Sequence, residues 1–180
     1  MDDCVQPVEP PLYRATVPVL LAVLDRVEAM LDRAGRALGE GVCAALERRP
    51  AEWMLTAGRQ LATAVQFTLR IACPLAGERI PELRGPLDAA GLRARIATAR
   101  AVLLALDPAA FAGAERRVVT AQAGFAVLDL AGEAYLHAFG LPNLYFHQAM
   151  AHVALKQAGV TLGKHDFDGK HDYPDGFSFG

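Results

Sequence analysis

The sequence has no excess of basic residues, few cysteines and no apolar run long enough to cross a membrane. Lysine and arginine total 18 against 20 aspartates and glutamates, a formal net charge of -2, which argues against a nucleic-acid partner. The three cysteines, Cys4, Cys43 and Cys73, show no CxxC spacing, so they indicate neither a disulfide framework nor a thiolate zinc site. Charged residues end the most apolar run, residues 18–24, well before it reaches the length of a membrane span.

Several short catalytic patterns are also absent. There is no glycine-rich phosphate loop, no HExxH and no GxSxG sequence. The acidic start, Met1-Asp2-Asp3-Cys4, lacks the basic-then-apolar order of a signal peptide. We therefore expect a cytoplasmic protein with reduced thiols and without a membrane partner.

Apolar residues make up 53% of the 180 residues, enough for one domain, 1–180, with its own core. Along four stretches these residues recur at spacings of three and four, which predicts four amphipathic helices. The predicted helices cover 12–38, 52–76, 88–106 and 132–158, the last interrupted near Gly140-Leu141-Pro142.

The remaining segments are predicted to be shorter or irregular. Residues 116–120 and 125–130 are predicted to form a β-hairpin around Ala123-Gly124. Residues 1–11 are predicted to be an extended arm, and 160–180 an irregular tail. The sequence therefore predicts an all-α four-helix bundle with a short β-hairpin before the last helix.

The last predicted helix directs an imidazole toward the bundle. With Pro142 in the first turn, Asn143 and His147 lie one turn apart on the apolar face. Successive residues of a helix lie about 100° apart around its axis, and this rotation places other residues on a separate, polar face. The residues placed on the polar face are Gln148, His152 and Lys156, with Tyr145 beside them.

Two interpretations of His147 stay open. It is either a core histidine satisfied by Asn143, a backbone carbonyl or a facing glutamine, or a ligand-binding, catalytic or metal-contacting residue. Gln60 and Gln66 are the candidate polar groups of the second helix that face the fourth. His137 precedes the proline break, so periodicity does not determine its direction.

Five segments of the chain resemble an uncharacterised branch of the DinB/YfiT-like superfamily. The LPNLYFH string at 141–147 is the specific one, and the others are weak individually. The resemblance covers about residues 12–169. The other segments are YRATVPV at 13–19, GRQL at 58–61, LDPAAF at 106–111 and GVTLGKHDF at 159–167.

The resemblance implies an up-down-down-up bundle and a homodimer. The superfamily includes divalent-metal proteins that use three histidines, one on the second helix and a close pair on the fourth, and some are thiol-dependent transferases. Here the second predicted helix has no histidine, and His147 and His152 fall on different faces. His137 and His147 with a carboxamide or water form the remaining, atypical candidate site for zinc or nickel.

The favoured hypothesis is an uncharacterised DinB-like protein that binds a small molecule in a pocket at the end of the bundle. His147 is the best candidate for a catalytic acid or base. One alternative is a dimeric structural or interaction bundle without catalytic activity. The other is an atypical divalent-metal-dependent transferase or hydrolase. The residues predicted to line the pocket are Gln60, His137, Asn143, Tyr145 and His147.

Overall fold

The computed structural model describes residues 9–174 of the chain. Four long helices form the bundle: α1, Pro11–Leu38; α3, Ala57–Ala76; α4, Ala89–Ala105; and α6, Leu141–Gln157. Three short helices, α2 (Val42–Leu46), α5 (Gly132–Ala134) and α7 (Lys164–Asp168), lie between and after them. Single 3-10 turns occupy Gly39–Gly41, Pro108–Phe111 and Ala114–Arg116. The predicted fold class, an all-α bundle with a hairpin before the last helix, is confirmed.

Helix boundaries follow local capping. Pro11 sits in the first turn of α1, where its missing N–H costs nothing, and α1 ends at Leu38, followed by Gly39 with a φ of 54°. Asp88 caps α4 by accepting a 2.7 Å hydrogen bond from the Gly91 amide. The predicted start of the second long helix at residue 52 is wrong, because extended Thr56 caps α3 and the helix begins at Ala57.

The hairpin consists of strands β1, Val118–Ala123, and β2, Ala126–Ala131, which pair antiparallel across a two-residue turn. It leads directly into α5 at Gly132. A Cβ at this glycine would lie 1.9 Å from the Ala114 carbonyl oxygen, so no larger residue fits without movement of the backbone. The close approach joins the hairpin to the chain that precedes it.

The predicted interruption of the last helix is confirmed. Between α5 and α6 the chain forms a π-helical segment, Tyr135–Gly140, and Pro142 then occupies the first turn of α6. Gly140 lets this segment approach α3, because a Cβ there would lie 2.7 Å from the Ile71 side chain. Helix α3 packs against α6, α4 and α1 and is the most buried of the long helices.

The sequence predicted an irregular C-terminal tail. The structure differs, because this segment contains the short helix α7. Asp166 of α7 is buried, pairs with Arg33 of α1 at 2.6 Å and accepts a hydrogen bond from the Gly163 amide. These contacts hold the segment on the helical body. Residues 1–8 of the predicted arm and 175–180 of the predicted tail lie outside the described residues.

None of the helices between residues 9 and 174 combines the length and the apolar character that a membrane span requires.

Candidate functional site

His147 of α6 lies against α3, as the helical phase predicted. Its Nδ1 is 2.6 Å from the Oε1 of Gln60, and its ring stacks on Phe67 with centroids 5.7 Å apart. The ring of Phe146 meets it edge-on at 5.3 Å. The imidazole is half-buried, so it belongs to the interface between α3 and α6 and still reaches the surface.

The site lies along this interface and not at an end of the bundle, where the sequence analysis placed it. On one side of His147, Gly140 packs on Ile71. On the other side, α6 continues to Gln157, whose Nε2 donates a 3.4 Å hydrogen bond to the Pro50 carbonyl. The chain therefore contacts α3 on one side of the histidine and the segment that precedes α3 on the other.

Gln60 determines which nitrogen of His147 carries the proton. The Gln60 side chain is only 1% exposed, and its Oε1 can accept but not donate a hydrogen bond. Nδ1 of His147 is therefore the protonated nitrogen, and Nε2 carries a lone pair. Within residues 9–174, Nε2 has no hydrogen-bond partner, and the atom is not buried.

The surroundings keep the imidazole neutral. Burial lowers the pKa of His147 below its usual value, and the positive charge of Arg70 lowers this pKa further. Arg70 lies with its guanidinium carbon 4.5 Å from the centre of the Phe67 ring. Its Nη2 donates a 3.0 Å hydrogen bond to the Gln122 carbonyl of β1, which ties the hairpin to α3.

Asn143 does not hold His147. Its Nδ2 donates a 2.7 Å hydrogen bond to the Phe139 carbonyl, in the π-helical segment. This hydrogen bond connects the first turn of α6 to the π-helical segment before it. Of the two residues predicted to share a face, His147 contacts α3 and Asn143 binds the π-helical segment of its own chain.

The remaining predicted pocket residues lie elsewhere. His137 is exposed, and among the described residues it makes no hydrogen bond, ion pair or ring contact. Tyr145 points toward the C-terminal segment, with its ring 6.3 Å from that of Phe167. Of the five predicted residues, the structure joins only Gln60 and His147 by a hydrogen bond.

Two glutamine predictions are wrong. Gln66 faces the connection between α3 and α4, where Nε2 donates to the Pro81 carbonyl and Oε1 accepts from the Leu83 amide, both at 2.9 Å. Gln148, assigned to a polar face, is fully buried and donates to the Phe167 carbonyl at 3.0 Å. The C-terminal segment covers this face, and the periodicity of α6 contains no information about that cover.

Sequence reasoning missed Phe67 and Arg70. Phe67 is seven residues, about two helical turns, after Gln60, so the two share a face. That spacing was a usable signal for an aromatic neighbour of His147. Arg70 gave no such signal, because its part in the site depends on its approach to Phe67 and to the hairpin.

The residues around His147 do not fit the three-histidine metal site of the wider superfamily. Gln60 occupies Nδ1, which leaves Nε2 as the one ring nitrogen able to bind an ion. His137 has no contact in common with His147 that would join them in one site. Across residues 9–174, no group of three or more histidine, cysteine or acidic side chains is arranged to hold a metal.

Two cavities lie away from His147. One, of about 380 Å³, is formed by the ends of α3 and α4 and the turn that follows α4. The other, of about 390 Å³, lies between α3, α4 and the connection at residues 77–88. His147 lines neither of them.

Comparisons with known proteins agree with this architecture. The sequence model of a family described as a domain of unknown function (DUF1993) matches residues 12–168. The chain is also similar to the crystal structure of a DinB family member protein from Shewanella denitrificans. The two are 28% identical with a TM-score of 0.79, over 90% of this chain and 94% of that one. No curated protein matches. Neither description names a ligand or a reaction.

Proposed function

We propose that this chain, which belongs to the DUF1993 family of domains of unknown function and has a DinB-like fold, binds a small molecule at His147. The observation that supports this function is the accessible Nε2 of a neutral, oriented imidazole. A histidine that only filled the core would have both nitrogens satisfied or buried.

The chemistry of the site selects a ligand with an O–H or N–H group. Nε2 accepts a hydrogen bond from such a donor, while the hydrogen bond to Gln60 favours this ring orientation and this tautomer. Phe146, which is 50% exposed beside the imidazole, offers an apolar surface to the rest of the ligand. A neutral imidazole with a lone pair at neutral pH is also competent as a general base toward the bound group.

Nitrogen-15 NMR of the histidine rings tests this function, with phenol as the probe and anisole as its matched control without an O–H donor. We expect the Nδ1–H tautomer at His147 and a shift of the Nε2 resonance with phenol but not with anisole. Gln60→Met should remove the tautomer preference and weaken the response. A proton on Nε2 in the free protein, or equal responses to the two probes, would contradict the proposal.

The alternative function is a dimeric interaction bundle, and the outer surface of α6 supports it. Tyr145, Phe146 and Val153 are apolar side chains of this helix that are exposed to solvent. Sedimentation equilibrium of the parent and of Phe146→Asp tests it. A dimer that dissociates in the variant supports the alternative, and a parent that is monomeric at all concentrations excludes it.

A further inference from the structure

The cavity between α3, α4 and the connection at residues 77–88 is separate from the His147 site. It has a volume of about 390 Å³, and none of the side chains that contact His147 lines it. Its lining comes from two helices and one connection, and this concave junction is the kind of place where small ligands bind.

Hydrogen bonds from the helices fix the wall that the connection provides. Gln66 of α3 binds it twice, at the Pro81 carbonyl and the Leu83 amide, with both distances 2.9 Å. Arg95 of α4 donates to the Leu83 carbonyl and, at 2.8 Å, to the Gly85 carbonyl. A wall held from both helices loses little conformational freedom when a ligand binds.

The cavity carries positive charge without a matching carboxylate. Arg59 and Arg95 both line it, and the Arg59 guanidinium has no ion pair or hydrogen bond within residues 9–174. The one lining carboxylate, Glu82, is already paired with Arg84 at 2.7 Å. An anion is therefore the ligand type that this surface attracts.

The guanidinium of Arg95 is held in place at one side of the cavity. Its two terminal nitrogens bind backbone carbonyls of the connection, and its Nε is enclosed by the protein without a hydrogen-bond partner among the described residues. Arg95 therefore contributes a fixed positive charge to the cavity, and Arg59 supplies the donors that a ligand can reach.

Most of the remaining lining is apolar. Ala62 and Leu83 are largely buried, and Leu55 and Leu87 extend the same surface toward solvent. An inorganic anion would leave this surface unused. A ligand with both a charged group and a hydrocarbon part matches the two halves of the cavity.

From these observations we infer that the cavity binds an organic carboxylate with a short apolar body. The carboxylate lies between Arg59 and Arg95, where it accepts hydrogen bonds from the Arg59 guanidinium and is attracted by the charge of Arg95. The hydrocarbon part covers Ala62 and Leu83. The site is independent of the function proposed for His147.

Octanoate is the probe that tests this inference, with acetate and 1-octanol as controls for charge and apolar body. On titration of the nitrogen-15 labelled protein, octanoate should shift the Arg95 Nε–H signal. Acetate and 1-octanol should bind more weakly than octanoate. Arg59→Gln should weaken octanoate binding about tenfold, the loss of one charge-assisted hydrogen bond. Arg84→Gln is the matched control, because Arg84 belongs to the same connection but does not line the cavity.

Three results would overturn the inference. They are an Arg95 Nε–H signal that octanoate leaves in place, 1-octanol or acetate binding as tightly as octanoate, and equal affinities of the Arg59→Gln and Arg84→Gln variants. Because Arg59 is exposed and makes no side-chain contact, its variant should fold as the parent does. The inference does not require the ring signals of His147 to shift in these titrations. This test can therefore fail while the proposed function stands.

Discussion

Truncation of His147 to alanine tests whether its contact with Gln60 stabilises the α3–α6 interface. The variant leaves the Oε1 of Gln60 without its donor in a position that is 1% exposed. A buried polar atom left unpaired costs about 1–3 kcal/mol, because it lost its water on folding and gains nothing in return. The ring stacked on Phe67 is lost as well, and an aromatic pair contributes about 0.5–1.5 kcal/mol.

We therefore expect His147→Ala to lower the free energy of unfolding by about 1.5–4.5 kcal/mol. Urea denaturation followed by far-ultraviolet circular dichroism measures this difference, provided that the slope with denaturant is the same for both proteins. His137→Ala is the matched control. Because that histidine is exposed and without contacts, its replacement should change stability by less than about 0.5 kcal/mol.

Equal midpoints for the two variants would refute the description of His147 as a structural partner of Gln60. A double-mutant cycle separates this contact from the general cost of truncation. Gln60→Ala combined with His147→Ala should show a coupling of about 1 kcal/mol, the net value of one intramolecular hydrogen bond. A coupling near zero would mean that the two side chains contribute independently to the stability of the fold.

Three further predictions follow from other contacts. Since the pKa of His147 is lower in the folded chain, the unfolded state binds more protons, and the parent should lose stability relative to His147→Gln as pH falls below about 6.5; parallel pH curves would contradict this. Gly132→Ala should destabilise the protein by about 1–3 kcal/mol through its clash with the Ala114 carbonyl. Gly35→Ala, in open space within α1, should stabilise it by about 0.5–1 kcal/mol, and equal thermal melts of the two would refute the packing at Gly132. In a Cys4→Ser background, iodoacetamide should modify exposed Cys43 readily, but buried Cys73, whose pKa burial raises to about 11, only on unfolding; mass spectrometry showing both modified at once in the native protein would be the opposite result.

Much of the bundle could be predicted because it depends on local spacing. The capping aspartate at 88, the proline in the first turn of α6 and the face that contains His147 are properties of neighbouring residues. The errors have a different origin. Residues 52–56 continue an apolar pattern into what is in fact a loop, and the helix begins where Thr56 supplies a cap.

The candidate site could be predicted only in part, and the reason is visible in two glutamines. Gln60 was correctly proposed as a polar group facing the last helix, since its position on α3 determines that direction. Gln148 was placed on a solvent face by the same reasoning, yet it is buried because the segment around Phe167 folds over it. Periodicity specifies a side of a helix, but not what covers that side.

From the sequence alone came the helical class, the number of long helices, the break before α6 and the direction of one imidazole. These follow from the 3.6-residue repeat and from proline and glycine chemistry, which act within a few residues. The tertiary structure alone decided that Nε2 of His147 remains accessible, that Asn143 serves the π-helical segment, and that a positively charged cavity opens beside α4. Those features require atoms from segments distant in the chain to meet at hydrogen-bond range, and no local pattern records which segments do so.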